Sequence, residues 1–528
     1  MRNWMMLVVL TIGCDASGPA DGGTRIPDAP FVGPDVPTAD ASYTPMPGSC
    51  GFESPAFCET FEDGPAAVDR SGELDASRWS VMRGMPNTPP SFEDAFTIGP
   101  AWIDRCRADL SNVRVVPDQD ALICDPTETI GSRHFVGAIA AQNYGLSTYR
   151  IRQPFDFAGR TGTIKLDVEL AGAGLGGWPA ISIAADPSPA PSFDWEERGS
   201  GPRNGVTIEF NRGDCAIEGA VKPTVFVFRE YAQTLIPASD DCVGEHALSA
   251  IGSLNHVEIY LTQSRLEVWA SDASPDGLTF PGLHQLAAVD LAAMGVALPF
   301  DRGYVSLIGR NHATLKYWYG GAWLTRWDNV GFDGPVVDGW REHSVQDSLT
   351  ERRGLEGCMV GGECQWRDQT IRENESGDVC PPEAACTHDG EARNVGYVIP
   401  NEDEAPISVT IPDVDPSGMS RARLVLAATY PWFEWGGMFP PPTAMDLRWR
   451  LNGGVWHDRF VTDVEANAFE AFSEDVPQPG AGFLNQAIDV DMSELRSGDN
   501  TLELHSAGGW TGSYRIAVTA IDLVLDSN

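Results

Sequence analysis

Asp167 and Glu169 stand two residues apart in Thr163-Ile164-Lys165-Leu166-Asp167-Val168-Glu169-Leu170, a run that alternates apolar and polar without a break. Period-2 alternation marks a half-buried strand, so Ile164, Leu166, Val168 and Leu170 take one face. Lys165, Asp167 and Glu169 take the other. Two residues of strand set the carboxylates about 6.6 Å apart along the backbone. A retaining glycosidase needs two carboxyls about 5 Å apart, one to attack the sugar and one to protonate the leaving oxygen. If this chain is an enzyme, Asp167 and Glu169 are its catalytic candidates. The opposing reading makes Lys165, Asp167 and Glu169 the solvated face of an edge-exposed strand.

A second set of residues suits binding. Tyr430, Trp432, Phe433, Trp435 and Phe439 crowd a Pro/Gly-rich segment read as a loop after a strand over 421–427, with Trp456 and Trp510 as companions. Flat rings stack on the apolar C–H faces of pyranose sugars and bury a large area at small conformational cost. Trp432, Phe433, Trp435 and Trp510 are therefore carbohydrate-binding candidates, joined by Trp178 and Trp195, which flank a strand over 180–184. Tryptophans also plug the ends of sandwiches, and Tyr317, Trp318, Tyr319, Trp323 and Trp327 read mostly as core.

Other chemistries find no footing. The chain has no nucleophile elbow, HExxH pair, phosphate-cradling glycine loop or EF-hand loop. The glycines of 172–177 have no helix pattern after them and do not fit a dinucleotide fingerprint. No cofactor is expected. Asp413 and Asp415, in an acidic turn ending at Gly418, are weak candidates for a structural calcium ion, and no other metal is expected.

The elements that must position these residues are strands. Thr163–Leu170, Val206–Phe210, Thr224–Phe228 and a hairpin of His256–Tyr260 with Arg265–Ala270 fill the first half. Ile407–Ile411, Arg421–Ala427, Asp446–Leu451, Thr501–His505 and Arg515–Leu525 fill the second. The one helix candidate is Leu286–Met294. Many strands with turns at short intervals predict an all-β chain of two β-sandwiches, or jelly rolls.

At 528 residues and 42% hydrophobic, the chain has ample material for two domains. A net charge of −39, spread along the chain, would repel nucleic acid and anionic lipid headgroups. The start is distinctive: Met1-Arg2, an apolar run from Trp4 to Ile12, then Gly13-Cys14. That run is too short to span a bilayer and fits the h-region of a signal peptide. The chain has eleven cysteines, and setting Cys14 aside leaves ten. Even parity in an exported protein argues for disulfides. Sequential pairing, the simplest scheme, joins Cys50–Cys58, Cys106–Cys124, Cys215–Cys242, Cys358–Cys364 and Cys380–Cys386. A zinc site at Cys358–Cys386 is the rival, without a CxxC spacing to support it.

Leu10-Thr11-Ile12-Gly13-Cys14 resembles the lipobox of bacterial lipoproteins, although Thr11 stands where that family prefers Leu. The resemblance implies lipidation at Cys14 and a membrane-anchored lipoprotein at the cell surface or in the periplasm. Phe57-Cys58-Glu59-Thr60-Phe61-Glu62-Asp63 and Leu74-Asp75-Ala76-Ser77-Arg78-Trp79 resemble the first strand region of concanavalin A-like lectin/glucanase domains. Trp327-Asp328-Asn329-Val330-Gly331-Phe332-Asp333-Gly334-Pro335 is similar to their last. Lys165-Leu166-Asp167-Val168-Glu169 resembles the Glu-x-Asp-x-Glu strand of family-16 glycoside hydrolases, with lysine in the nucleophile's place. That departure implies lost catalysis. The stretch 495–504 is similar to a strand region of galactose-binding-like sandwiches.

The expected organisation is a signal peptide at 1–14, a disordered Pro/Asp/Ala-rich tether at 15–49 and a lectin/glucanase-like sandwich at 50–335. A disulfide-rich connector at 336–395 follows, with His343-Ser344-Val345 as the possible first strand of a galactose-binding-like sandwich at 396–528. The expected function is non-catalytic binding of a polysaccharide or other glycan, with the membrane as a second partner through the lipid. The alternatives are a glycoside hydrolase or polysaccharide lyase, and a structural or adhesive surface protein without a sugar site.

Overall fold

The computed structural model describes residues 42–44, 48–62, 74–83, 91–93, 96–97, 129–130, 134–139, 146–170, 179–187, 202–211, 220–230, 232–236, 247–249, 253–274, 277–310, 323–334, 339–345, 357–360, 363–366, 369–370, 397–398, 400, 405–431, 446–459, 481–507 and 517–527. Over these the chain is all-β, and no α-helix occurs among the described residues. In chain order the strands begin with β1 (Phe57–Glu59), β2 (Trp79–Arg83), β3 (Ser91–Glu93), β4 (Phe96–Thr97), β5 (Thr129–Ile130) and β6 (His134–Ile139). Next come β7 (Leu146–Ile151), β8 (Phe155–Asp156), β9 (Gly162–Val168), β10 (Ala180–Ala184), β11 (Asn204–Asn211) and β12 (Lys222–Arg229). Then follow β13 (Ala232–Ile236), β14 (Asn255–Leu261), β15 (Arg265–Ser271), β16 (Leu283–Asp290), β17 (Arg302–Arg310) and β18 (Trp323–Phe332). After these lie β19 (Trp340–Ser344), β20 (Gly357–Val360), β21 (Glu363–Trp366), β22 (Gln369–Thr370), β23 (Tyr397–Val398) and β24 (Ile407–Val414). The last are β25 (Arg421–Pro431), β26 (Asp446–Leu451), β27 (His457–Arg459), β28 (Ala481–Val490), β29 (Gly498–Ala507) and β30 (Ala517–Asp526).

Two antiparallel sheets form the first sandwich. One runs β16-β15-β14-β9-β18-β6-β3, with β1 also on β18, and the other runs β13-β12-β11-β10-β17-β7-β2, with β8 also on β17. Alternation sets the inner faces: Ile164, Leu166 and Val168 of β9 and Val257, Ile259 and Leu261 of β14 meet Ile181, Ile183, Val206 and Ile208 from the opposite sheet. Each such aliphatic side chain contributes about 1.5–3 kcal/mol when taken fully out of water. The first strand closes on the last, Phe57 opposite Phe332, and their rings stack at 5.5 Å. Beside them Cys50 and Cys58 are joined in a disulfide.

Two expectations fail here. Leu286–Met294 is not a helix: Leu283–Asp290 is strand β16, paired with β15. Its buried positions Leu283, Leu286 and Val289 recur every third residue. The cause is a break in register, since Val268 faces Ala287 and Trp269 faces Gln285, which leaves Leu286 unmatched as a bulge. Leu283 is buried on the outward face opposite Ser271, whereas Leu286 and Val289 join the core, so burial on both faces around the bulge imitates a helical period. Nor is β9 an edge strand. It lies between β14 and β18, and Lys165, Asp167 and Glu169 are buried rather than solvated.

The later strands form a five-stranded sheet, β19-β30-β25-β28 with β23 on β30, facing a four-stranded sheet, β24-β29-β26-β27. Ile407, Val409, Ile411, Leu424, Leu426, Trp449, Leu502, Leu504 and Leu523 fill the space between them. Strand β19, which includes His343 and Ser344, belongs here through its pairing with β30. This sandwich packs against the β2-β7-β17 side of the first. Met82 and Tyr304 meet Val425, Ala427, Ala520 and Val524. Around that apolar contact, Glu342 bonds Arg150 at 2.6 and 2.9 Å and Arg152 at 2.5 Å, while Arg423 bonds Asp186 at 2.8 Å and Asp526 at 2.6 Å. One sheet of the first sandwich is thereby engaged; the outer face of the β9 sheet carries a separate cluster of buried charged side chains.

Candidate functional site

The outer face of the β9 sheet carries a row of charged and aromatic side chains placed by strand register. His256 lies opposite Asp167 and Glu258 opposite Lys165 across β14–β9, while Asp328 lies opposite Asp167 across β18–β9. Directly opposed side chains on one face are within contact range. His256 Nδ1 lies 2.6 Å from Asp167 Oδ1 and Nε2 lies 3.2 Å from Glu258 Oε1. Lys165 Nζ reaches the same Glu258 oxygen at 3.0 Å, and the Tyr260 hydroxyl donates to the other. Asn329 completes the set by donating to Asp167 Oδ2 at 2.7 Å. It does so from a left-handed backbone, φ 47°, at the irregularity between Asp328 and Gly331. A bulge of this kind re-aims one side chain. Farther along, Arg326 pairs with the buried carboxylate of Glu169. On β15, Glu267 accepts from Trp269 Nε1 at 3.2 Å, Gln285 at 3.0 Å and Arg265 at 2.7 Å.

The electrostatics follow from these partners. Burial works against a charge on His256, but the hydrogen bonds and negative charges of Asp167 and Glu258 outweigh it, and its pKa is raised. Burial also works against Glu258, yet His256, Lys165 and Tyr260 together bring its pKa down to about 2. The imidazolium form is thus favoured between two carboxylates. A general base must turn an unoccupied nitrogen toward the proton that it takes. Both nitrogens of His256 face carboxylates. The row is a closed ion network.

Part of the chain's N-terminal segment lies on this row. Tyr43 and Phe280 exchange two backbone hydrogen bonds of 2.8 Å, forming an isolated bridge. The Tyr43 ring stacks on His256 with centroids 3.7 Å apart and planes 16° from parallel. Lys165 Nζ sits 5.6 Å from the centroid of Tyr43 and 5.4 Å from that of Phe52, within cation–π range. Burial, then the charges of Asp167 and Glu258, push the Tyr43 phenol upward, so it stays protonated.

No family model matches this chain, and no curated protein matches it. Solved structures with a similar strand arrangement include glucanases and lectin-like carbohydrate recognition domains, all at low identity. A non-specific endo-β-1,3(4)-glucanase of family GH16 is 13% identical, with 57% of this chain and 97% of the glucanase covered and a TM-score of 0.27. A pseudo β-1,3-glucanase and immunostimulatory antigen of Mycobacterium tuberculosis is 14% identical, covering 53% of this chain and 98% of the other at 0.28. The exoplasmic/lumenal domain of VIP36, in its Ca2+/Man3GlcNAc-bound form, is 10% identical, covering 38% and 82% at 0.24. These superpositions are poor overall, and the functional reading rests on this chain's own residues.

The residues singled out from sequence fall in different places. Asp167 and Glu169 lie in the row, each engaged by a donor. Cys50 and Cys58 are bonded to each other. Cys358 and Cys364 stand on the paired strands β20 and β21, where Met359 faces Cys364. Asp413 sits at a bulge of β24 with φ 53°, and the Asp415 carboxylate binds Ser417 and Arg341. Among the described residues no group of three or more His, Cys, Asp or Glu could hold a metal. Trp178, Trp195, Trp432, Phe433, Trp435, Trp510, Cys14, Cys106, Cys124, Cys215, Cys242, Cys380 and Cys386 lie outside the described residues. His256, Glu258, Tyr260, Arg326 and Asn329 were not singled out. For the first three, the one signal is the alternation His256-Val257-Glu258-Ile259-Tyr260, which repeats the polar-out pattern of its neighbour β9.

Proposed function

We propose that this chain is an exported, lipid-anchored envelope protein that binds a glycan and does not hydrolyse it. One observation carries the non-catalytic part: every carboxylate in the central row already has a cationic or hydrogen-bonding partner. Asp167 is held by His256 and Asn329, Glu169 by Arg326, and Glu258 by Lys165, His256 and Tyr260. A retaining pair needs one carboxyl free to attack and one protonated to donate. The binding part is supported by a polar row bordered by Tyr43, Tyr260 and Trp269 on a sheet face, and by the Trp/Phe-rich stretch around Trp432 and Trp435. The anchor rests on the lipobox-like run ending at Cys14.

A polysaccharide lyase is the second reading, favoured by a histidine, a tyrosine and a lysine on one face, the residue types that remove and deliver protons. A glycan array and a turnover screen, run on wild type, a Trp432→Ala/Trp435→Ala double variant, Glu169→Gln and His256→Gln, separate the readings. Binding without turnover, lost in the double variant, is the expected outcome. Turnover that Glu169→Gln or His256→Gln abolishes would replace it with an enzyme.

A further inference from the structure

We propose that Tyr43, with Ser42 and Thr44 beside it, is a displaceable strap over the His256 row, its ring occupying the place of a ligand ring. The proposal rests on the glycan reading above for the nature of that ligand. Three features make Tyr43 a surrogate rather than a core residue. Its ring lies flat on His256, as a sugar face lies on an aromatic platform, and the residue is only half-buried. Its backbone is tied to the body by an isolated bridge to Phe280 and not by a strand. Its hydroxyl is shielded from water yet has no hydrogen-bond partner among the described residues. A hydroxyl of that kind favours release, because water satisfies it better than the closed position does.

The strap also has a built hinge. Gly48 and Gly51, at φ 72° and 76°, and Cys50, at φ 48°, all take left-handed backbone next to the Cys50–Cys58 bridge. That bridge fixes the end of the strap to β1, so Tyr43 can lift while Phe52 stays with the sheet. Gly51 leaves no slack: a Cβ there would lie 1.9 Å from Tyr43 Oη. When closed, the strap covers the imidazolium and the Lys165 ammonium, the two cations that would otherwise face a ligand. The free protein is therefore held back by its own N-terminal segment, and a glycan must displace Tyr43 to reach the row.

The test uses the full chain as wild type, Tyr43→Ala, Tyr43→Phe and Gly51→Ala. Hydrogen exchange at the Phe280 amide reports closure without any ligand, and titration with a soluble β-glucan, a mannan and a galactan reports binding. Tyr43→Ala and Gly51→Ala should each speed Phe280 exchange at least tenfold and tighten binding of the recognised glycan by a similar factor. Tyr43→Phe keeps the ring and drops the unpartnered hydroxyl, so it should stay closed. Gly51→Ala covers the case in which Tyr43→Ala does not fold. Faster exchange with no glycan bound by any variant would end the glycan reading and leave the strap. Unchanged exchange, or binding that weakens in both opened variants, would overturn the strap and leave the glycan reading.

Discussion

At the scale of single residues, the row on β9, β14 and β18 is held by charges that depend on one another. Arg326 and Glu169 are 2% and 6% exposed at their side chains, so removing one takes a charged partner from a buried group. Arg326→Ala should cost about 3–5 kcal/mol, read as a fall in the urea midpoint, whereas a loss within a few tenths would mark the pair as a surface bridge. His256 and Glu258 give the row a pH window. Folding raises the His256 pKa, so its contribution is full below the unfolded value of 6.5 and fades as pH rises through the folded one. Folding lowers the Glu258 pKa to about 2, so its contribution is full above 4.5 and fades as pH falls toward that value. The stability gap between wild type and His256→Gln should be widest between 4.5 and 6.5 and narrow on the alkaline side. Denaturant titrations in a buffer series check this, and a gap that grows with alkalinity would show that His256 is held neutral.

At the scale of elements, what can be read from sequence depends on whether one face of a strand meets the core in strict alternation. Thr163–Leu170 and Ile407–Ile411 meet that condition, with an inward residue at every second position, and both are legible. Strand β16 does not, because the bulge at Leu286 turns a period of two into one of three and makes the segment look helical. The site was half legible. Asp167 and Glu169 announce themselves on one strand, but their partners come from 89 and 157 residues away, at His256 and Arg326. No local pattern encodes such pairing; only the strand order does. Tyr43, within a stretch whose composition reads as tether, is hidden for the same reason. The Cys50–Cys58 bridge is the element-scale clamp on this region. A closed loop of this size stabilises by about 2–3 kcal/mol through the unfolded state. Cys50→Ser/Cys58→Ser should lower the melting temperature accordingly, and an unchanged melting curve would show that β1 is held by its pairing with β18 alone.

At the scale of the whole molecule, the two sandwiches are joined by a buried interface in which ion pairs surround an apolar contact. Arg150 and Glu342 are 0% and 1% exposed at their side chains, and Arg152 shares the same carboxylate. Glu342→Ala removes the carboxylate that Arg150 and Arg152 share, while Asp522 stays 3.5 Å from Arg150. A loss of about 3–5 kcal/mol is expected, concentrated at this interface. Calorimetry should then resolve two transitions, against a single one expected for wild type. A single transition at the wild-type temperature would mean that the apolar contact around Tyr304 and Val524 suffices.

That interface also sets a clock. Ser80 donates to Asp522 across 442 residues of chain, and Arg150 waits for Glu342 across 192. Contacts so distant in sequence form late and slow the search for the native state. A chain that emerges N-terminal end first presents Ser80, Arg150 and Arg152 long before their partners exist. During that interval the first sandwich can close its own core, strand β1 against β18, while its interface arginines remain hydrated and unpaired. Maturation therefore proceeds in two acts, and the second begins only when β30 has been delivered.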